Sequence, residues 1–109
     1  MSVVALCAEW CGTCREFRPI FDALAAAMPA VRFIWVDIEE EPDVAGDMEI
    51  EVFPTLGVMR GDVPLHFGPT LPQRAALERL LRGISQNAAP GVVSAEAAQA
   101  MLRAVQHDR

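Results

Sequence analysis

The spacing of apolar side chains changes within the first thirty residues from a continuous run to a helical repeat. Residues 2–7 form a short apolar run with adjacent valines, which predicts a buried strand. The next apolar positions follow the spacing i, i+3, i+4, i+7 and i+11 of one helix face: Phe17, Ile20, Phe21, Leu24 and Met28. Pro19 lies inside this pattern and should kink the helix, because proline has no backbone N–H, and Pro29 ends it.

Three further runs in the middle of the chain predict strands. Residues 31–38 are rich in β-branched and aromatic side chains. Residues 54–59 and 63–67 flank a tight turn at Arg-Gly-Asp, residues 60–62, and this arrangement predicts a hairpin. The acidic stretch 39–51 lies between them and predicts a loop with a short helix whose charges face solvent.

Two helices with apolar stripes complete the pattern. The first opens at Leu71-Pro72 and carries the stripe Leu77, Leu80, Leu81 and Ile84. Residues 85–93 have the composition of a linker. Ser94 is the predicted N-cap of the last helix, residues 94–106, whose stripe is Ala98, Met101, Leu102 and Val105.

The order of these elements is β-α-β-α-β-β-α followed by an appended helix. The first β-α-β unit implies two parallel strands joined by a right-handed crossover, and the hairpin adds antiparallel strands. This order predicts an α/β domain with one mixed four-stranded sheet. We divide the chain into a core at residues 1–84, a linker at 85–93, and an appended C-terminal helix and tail at 94–109.

Composition and charge narrow the possible functions. The 109 residues are 52% hydrophobic and 22% charged, which is ordinary for one soluble globular domain. Nine basic and fifteen acidic side chains give a net charge of −6, which disfavours binding to nucleic acid or to anionic membranes. No apolar run approaches the roughly 18 residues of a membrane helix. These features predict a cytoplasmic protein, unless a leader peptide has been removed from the chain.

Two of the three cysteines, Cys11 and Cys14, lie where the first strand gives way to the first helix. If Cys11 precedes the first helical turn, unpaired N–H groups and the helix dipole favour its thiolate. A free cysteine has a pKa of about 8.5, and this motif can lower it to roughly 3.5–7.5. Cys14 lies one turn further on and can attack a mixed disulfide formed at Cys11. The spacing therefore predicts an attacking thiol and a resolving thiol.

The residues around this pair resemble the thioredoxin family. Trp10-Cys11-Gly12-Thr13-Cys14 is similar to the family's active-site motif, and Pro19 matches its kinking proline. Phe53-Pro54-Thr55 falls where the family carries a cis-proline loop, and Gly68 matches a glycine after its last strand. The resemblance covers roughly residues 1–84 and implies a thioredoxin-like fold.

The resemblance also implies roles for individual residues. Cys11 would be the nucleophile and Cys14 the resolving thiol of a thiol–disulfide oxidoreductase. Substrate would be bound by Trp10, Gly12, Thr13, Phe53 and Pro54. Pro54 would form a cis peptide bond packed against the two sulfurs, and Phe53 would present its backbone to an extended substrate. The implied partners are protein disulfides and a reductase or other electron donor, in cell redox homeostasis and electron transport, with no cofactor and no metal.

The chain departs from the family at its start. The family's first strand and helix have no counterpart before Trp10, which leaves strand 31–38 as an expected sheet edge. The appended helix would cover either that edge or a face of the sheet. A dimer formed along the edge strand is the alternative, and the oligomeric state stays open.

Three substitutions bear on the chemistry. The family's buried aspartate and its neighbouring lysine match Ala5 and Trp35. Without a carboxylate to deprotonate Cys14, we expect slower resolution of the mixed disulfide than in the family. The alternative is that Ala5 and Trp35 only fill core volume. Thr13 replaces the usual proline, adds a hydroxyl that could bond to a sulfur, and should shift the redox potential. Cys7 is expected to be a small buried apolar residue, or a regulatory thiol if it is exposed.

The spacing Cys7-x3-Cys11-x2-Cys14 equals an iron–sulfur ligand run, but the enzymes that use it need a much larger barrel. A zinc site completed by His66 or His107 would require a long-range coincidence. The favoured hypothesis is therefore an oxidoreductase. The alternative is a thioredoxin-like binding or assembly module with little redox catalysis.

Overall fold

The computed structural model describes residues 1–8, 10–46, 50, 53–86 and 93–107. Within these residues the elements are β1 Ser2–Cys7, α1 Gly12–Ala27, β2 Arg32–Asp37, α2 Pro42–Ala45, β3 Thr55–Arg60, β4 Val63–Pro69, α3 Arg74–Gln86 and α4 Ala95–His107. The strands form one sheet in the order β2-β1-β3-β4, with β1 and β2 parallel and the other two pairs antiparallel. The predicted α/β fold with a mixed four-stranded sheet is confirmed.

Both ends of the third helix differ from the prediction, and several predicted segments lie outside the described residues. Helix α3 begins at Arg74 rather than at Leu71-Pro72, because the carbonyl of Gln73 accepts the N–H of Leu77 and so opens the helical ladder. It also continues to Gln86, two residues into the predicted linker. Serine and glutamine both have adequate helix propensity, unlike glycine and proline, so the helix can continue through residues 85 and 86. The rest of that linker up to residue 92, residues 108–109 of the tail and most of the loop at 47–52 lie outside the described part.

The first face of the sheet packs against α1 and α3. The buried cluster on this face draws two side chains from β1, three from α1 and two from α3, and the remainder from β3 and β4: Val3, Ala5, Phe17, Phe21, Leu24, Leu56, Val58, Leu65, Leu77 and Leu81. Side chains along β1 alternate between the two faces of the sheet, so Val4 and Leu6 point to the opposite face. Helix α1 is therefore held firmly against the sheet, and its first turn lies at one end of the sheet.

The second face is covered by α2 and α4. Helix α4 contacts all four strands, and its Ala104 joins the cluster Val4, Leu6, Ile34, Val36 and Val44. The Ser94 side chain accepts the N–H of Ala97 at 3.1 Å, which confirms the predicted N-cap. Arg103 donates to the carbonyl of Val44 at 2.9 Å and ties α4 to α2. The appended helix thus covers a sheet face, which decides one alternative left open by the sequence.

Strand β2 is an edge of the sheet, as predicted from the sequence. Its first residue, Arg32, donates to the carbonyl of Val105 in α4 at 3.0 Å. At the other edge the β3–β4 turn contains Gly61 with a φ of 62°, a conformation that glycine adopts without strain. The sheet places the end of β1, the start of α1 and the end of β2 side by side.

Candidate active site

Cys11 lies in the turn that joins β1 to α1. Its φ of −83° and ψ of 116° are extended, and the helix begins at the next residue, Gly12. The turn is held by the Cys11 N–H, which donates to the carbonyl of Ala8 at 3.0 Å. The Cys11 carbonyl then accepts the N–H of Arg15 at 3.2 Å. Cys11 is therefore the N-cap residue, next to the unpaired N–H groups of the first turn.

This position changes the acidity of the Cys11 thiol. The backbone N–H of Cys14 lowers the pKa of Cys11 most strongly, because a donor near the sulfur stabilises the thiolate. The Cys14 side chain, the Thr13 N–H and the Thr13 hydroxyl lower the same pKa further. Burial acts in the opposite direction, but the net shift is downward. The sequence expectation that the Thr13 hydroxyl could act on a sulfur is confirmed at Cys11.

Cys14 lies in the first turn of α1 and is only 1% exposed. Its side chain is hydrogen-bonded to Cys11, so the two sulfurs are within reach of each other. Burial raises the pKa of Cys14, while hydrogen bonds from the Cys7 side chain and the Ala8 N–H lower it in part. The pair thus consists of an accessible, acidic thiol and a buried, less acidic one.

Cys7 ends β1 and is also 1% exposed, which confirms the prediction of a buried residue. Burial raises the pKa of Cys7, and its hydrogen bond to Cys14 raises it further. Cys7 is therefore a thiol at neutral pH, and its burial removes the alternative of an exposed regulatory cysteine. All three cysteines are free thiols in this structure.

Trp10 stands beside the cysteine pair and is 62% exposed, an unusually high fraction for a tryptophan. Its ring meets the edge of Phe53, with centroids 5.8 Å apart and planes at 88°. Its indole N–H donates to the carboxylate of Glu39. These two contacts hold the exposed Trp10 ring in place beside the N-terminus of α1, and they bring the loop at Phe53 next to that ring.

The peptide bond between Phe53 and Pro54 is cis, as predicted. Pro54 is buried, and its carbonyl accepts the N–H of Thr70 at 3.1 Å, which joins this loop to the end of β4. Phe53 is half-buried, whereas Gly12 is exposed and Thr13 half-buried. Contact of Pro54 with the two sulfurs and presentation of the Phe53 backbone to substrate remain predictions.

Comparison with known proteins agrees with this geometry. The family model described as Thioredoxin matches residues 1–79, well over half of the chain. The chain belongs to the thioredoxin family.

Individual relatives show how far the likeness extends. Thioredoxin H-type 1 of Nicotiana tabacum is 35% identical over 95 residues, which are 85% of this chain and 71% of the relative. Mitochondrial thioredoxin-3 of Saccharomyces cerevisiae is 40% identical over 53 residues, which are 49% and 42% of the two chains. The X-ray structure of Fasciola hepatica thioredoxin superposes with a TM-score of 0.68 and 26% identity, over 75% of this chain and 78% of that one. The chain spans about half the length of several curated relatives that it matches.

Within the thioredoxin fold, Ala5 and Trp35 are opposite each other on β1 and β2. Ala5 is fully buried, and the Trp35 ring packs 6.1 Å from Phe17 and 5.5 Å from Phe21 between centroids. The guanidinium of Arg18 lies 4.7 Å from the centre of the Trp35 ring. Both residues contribute to the core, so no carboxylate lies at the position that the sequence resemblance assigned to one.

A groove of about 900 Å³ borders Cys14 between α1 and the end of β2. Its charged side chains are Arg15, Arg18, Asp22, Asp37, Glu40 and Glu41. Asp37 is the register partner of Cys7, and one of its carboxylate oxygens accepts the N–H of Glu39 at 2.9 Å. The groove supplies a polar surface next to the buried thiol.

Neither a metal centre nor a membrane span emerges from the described part of the chain. Residues 1–8, 10–46, 50, 53–86 and 93–107 contain no group of three or more His, Cys, Asp or Glu side chains placed to hold a metal ion. No helix among them is long and apolar enough to cross a bilayer.

Two acidic residues of the site are missing from the sequence prediction. Glu39 falls in a run that the pattern predicts to face solvent, and its bond to Trp10 cannot be seen from spacing because 29 residues separate the two. Asp37 falls within a predicted strand, although its position as the last residue of β2 could have flagged it. Polar residues that end parallel strands meet at one edge of a sheet, and this is the signal that the sequence offers.

Proposed function

We propose that the protein is a thiol–disulfide oxidoreductase that exchanges disulfides with protein substrates through Cys11 and Cys14. The proposal is supported above all by the position of Cys11 at the N-cap of α1, where its pKa is lowered. There its side chain is hydrogen-bonded to that of the buried Cys14. Membership of the thioredoxin family supports the same class of reaction.

The exchange proceeds in two steps that conserve atoms and electrons. The Cys11 thiolate attacks one sulfur of a substrate disulfide, a Cys11–substrate bond forms, and the other substrate sulfur leaves as a thiolate. Cys14 then loses its proton to solvent or to the leaving thiolate and attacks the Cys11 sulfur. The bond from Cys11 to the substrate breaks, so the substrate is reduced and the Cys11–Cys14 disulfide remains. A reductase or another thiol donor restores the dithiol.

Substrate binding is assigned to the surface around Cys11. The exposed Trp10 ring offers an apolar contact next to the thiol, and its contacts with Glu39 and Phe53 hold it in place before substrate arrives. Gly12 and Thr13 line the same turn, and Phe53 and Pro54 supply the neighbouring loop. An extended peptide would pair there with the backbone of Phe53.

Alkylation of the reduced protein with iodoacetamide between pH 4 and 10, followed by mass spectrometry, tests the nucleophile. The pH midpoint of Cys11 alkylation should lie below the ordinary thiol pKa of about 8.5, because the thiolate is stabilised at the N-terminus of α1. Cys7 and Cys14 should react little in the folded protein, since each is 1% exposed. The dithiol form should also reduce the interchain disulfides of insulin.

Two variants serve as controls for this experiment. Cys11→Ser should lose both the low-pH alkylation and insulin reduction, whereas Cys14→Ser should keep the alkylation but trap a mixed disulfide. An ordinary thiol midpoint for Cys11, together with no insulin reduction by the wild-type dithiol, would contradict the proposal.

A binding or assembly module with little catalysis is the second candidate. It is favoured by the edge position of β2 and by the absence of a carboxylate at Ala5. The Cys11→Ser/Cys14→Ser double variant discriminates between the two candidates. A cellular activity that survives this double substitution would favour the module.

A further inference from the structure

Cys7 is the cysteine for which the proposed exchange has no role. It is the last residue of β1, it is buried to 1% exposure, and its side chain is hydrogen-bonded to that of Cys14. Cys14 is in turn hydrogen-bonded to Cys11. Hydrogen bonds therefore link the three thiols in the order Cys7, Cys14, Cys11, from two buried side chains to a half-buried one.

The direction of these hydrogen bonds follows from which thiol keeps its proton. Burial raises the pKa of Cys7 above that of an ordinary thiol, so Cys7 remains protonated and donates its S–H to the Cys14 sulfur. Cys14 donates to the more acidic Cys11, whose pKa is lowered. A protonated, buried Cys7 is a poor nucleophile, and this favours a role as a donor over a role as a second attacking thiol.

The need for a donor is greatest after the first step of the exchange. Cys11 is then bonded to the substrate sulfur, and Cys14 must become a thiolate in a buried position. In the dithiol structure, the Cys7 S–H and the Ala8 N–H donate to the Cys14 sulfur. At Ala5, where the sequence resemblance places a carboxylate, the chain has only a methyl group.

We propose that Cys7 is a positioning residue for the resolving step, in which its S–H donates to the Cys14 sulfur and stabilises the thiolate that attacks Cys11. The inference rests on the proposed function. In this step the Cys14–Cys11 bond forms, the bond from Cys11 to the substrate breaks, and the substrate thiolate leaves with the electron pair. Cys7 keeps its proton throughout, and the proton from Cys14 passes to solvent or to the leaving thiolate.

Other charged and titratable groups lie close to the Cys7–Cys14 pair. Cys11 lies at the N-cap of its helix, Arg15 lies within that helix, and Asp37 lies at the end of β2. The groove beside Cys14 adds Arg18 and Asp22 from α1, and Glu40 and Glu41 from the segment after β2. The experiment leaves all of these groups unchanged and alters Cys7 alone.

Reduced protein mixed with one equivalent of 5,5′-dithiobis(2-nitrobenzoate) separates the two steps. The first release of nitrothiobenzoate reports attack by Cys11, and the second reports attack by Cys14 on the mixed disulfide. Cys7→Ala should move the pH profile of the second release upward and slow it at pH 7 by about 3- to 10-fold, the range expected for one weak hydrogen bond to a charged group. The first release should keep its rate and its pH profile.

Matched variants guard against a purely structural effect. Cys7→Val removes the donor while it adds volume rather than leaving a cavity, and it should behave like Cys7→Ala if the hydrogen bond is what matters. Cys7→Ser keeps a donor and should stay within about twofold of wild type, as expected for a retained hydrogen bond. Val4→Ala truncates a buried side chain on the same strand and should lower stability without moving either profile.

Each result bears on a distinct claim. A second release that is unchanged in folded Cys7→Ala and Cys7→Val, with a normal first release, overturns the role of Cys7 alone. An equal upward shift in Val4→Ala also overturns it, because the effect would then follow stability. A wild-type protein that shows no first release overturns the oxidoreductase function and this role with it.

Discussion

Trp10 and Glu39 are joined by a hydrogen bond from the indole N–H to a carboxylate oxygen, across 29 residues of sequence. Glu39 follows β2 and Trp10 precedes α1, so the bond links two sides of the active-site rim. An exposed indole without this partner would lose its fixed orientation against Phe53, because only the edge contact of the two rings would remain.

Removing this acceptor should weaken the encounter with protein substrates. Glu39→Ala should lower kcat/KM for insulin reduction by about threefold, which corresponds to roughly 0.7 kcal/mol and is typical of one net hydrogen bond. The pH profile of Cys11 alkylation should stay unchanged. Glu39→Gln keeps an acceptor oxygen and should resemble wild type. Equal kinetics in all three proteins would show that the bond does not organise the rim.

Thr13 gives a prediction about acidity. Next to the dominant effect of the Cys14 N–H, the Thr13 hydroxyl lowers the pKa of Cys11. Thr13→Val keeps the shape but removes the hydroxyl, so the midpoint of Cys11 alkylation should move to higher pH. Thr13→Ser retains the hydroxyl and should leave the midpoint near that of wild type. A Thr13→Val midpoint at or below the wild-type value would contradict this role.

Gly57 and Met101 give a prediction about packing. A Cβ at Gly57 would come within 2.8 Å of Met101 Cγ, and Met101 is fully buried and has little room to move. Gly57→Ala should therefore reduce the free energy of unfolding by about 1–3 kcal/mol, the usual range for overpacking. The measurement is urea denaturation followed by far-UV circular dichroism.

Two further variants test the cause of that loss. A methyl group added at Gly83 in α3 would meet no heavy atom within 4 Å, so Gly83→Ala should be neutral or stabilising by up to about 1 kcal/mol. Combining Gly57→Ala with Met101→Ala should destabilise less than the sum of the single changes, because the new methyl group enters the space that Met101 vacates. Strict additivity would contradict direct contact between the two sites.

His66 gives a prediction about pH. Burial lowers its pKa, and its Nε2 is buried without a hydrogen-bond partner among the residues that the structure describes. The unfolded chain, with a histidine pKa of about 6.5, therefore takes up a proton more readily than the folded protein. Stability should be complete above that pH and should fall as the pH drops below it.

Urea denaturation at intervals from pH 7.5 to 5.5 measures this loss. The Cys11→Ser background is the suitable one, because the Cys11 thiolate also titrates with a lowered pKa. In that background His66→Leu should show a clearly flatter dependence on pH than the parent. Parallel curves for the two proteins would exclude His66 as the titrating group.

The local pattern of the chain was sufficient to predict its strands and most helix positions. The apolar run at Ser2–Cys7 and the stripe from Phe17 to Met28 predicted β1 and the body of α1 because each has the period of its element. The start of α3 was wrong by a few residues. Leu71-Pro72 looks like a helix opening, but the first helical hydrogen bond is accepted at Gln73.

The site was predictable where its chemistry lies within a few residues of sequence. The N-cap position of Cys11 follows from a strand that ends just before a helix begins. The contact between Cys7 and Cys14 and the bond between Trp10 and Glu39 depend on how β1, α1 and β2 pack together, which no local pattern encodes. The choice of a sheet face for α4 likewise depended on Gly57, whose missing side chain makes room for Met101.

The position of α4 has a consequence for synthesis on the ribosome. Strand β1 is synthesised before β2 and β3, with which it pairs, and before α4, which covers one of its faces. Until these elements have been synthesised, the backbone groups of β1 can pair only with water and its valines stay exposed. Native packing around β1 can be completed only after residues 95–107 have left the exit tunnel.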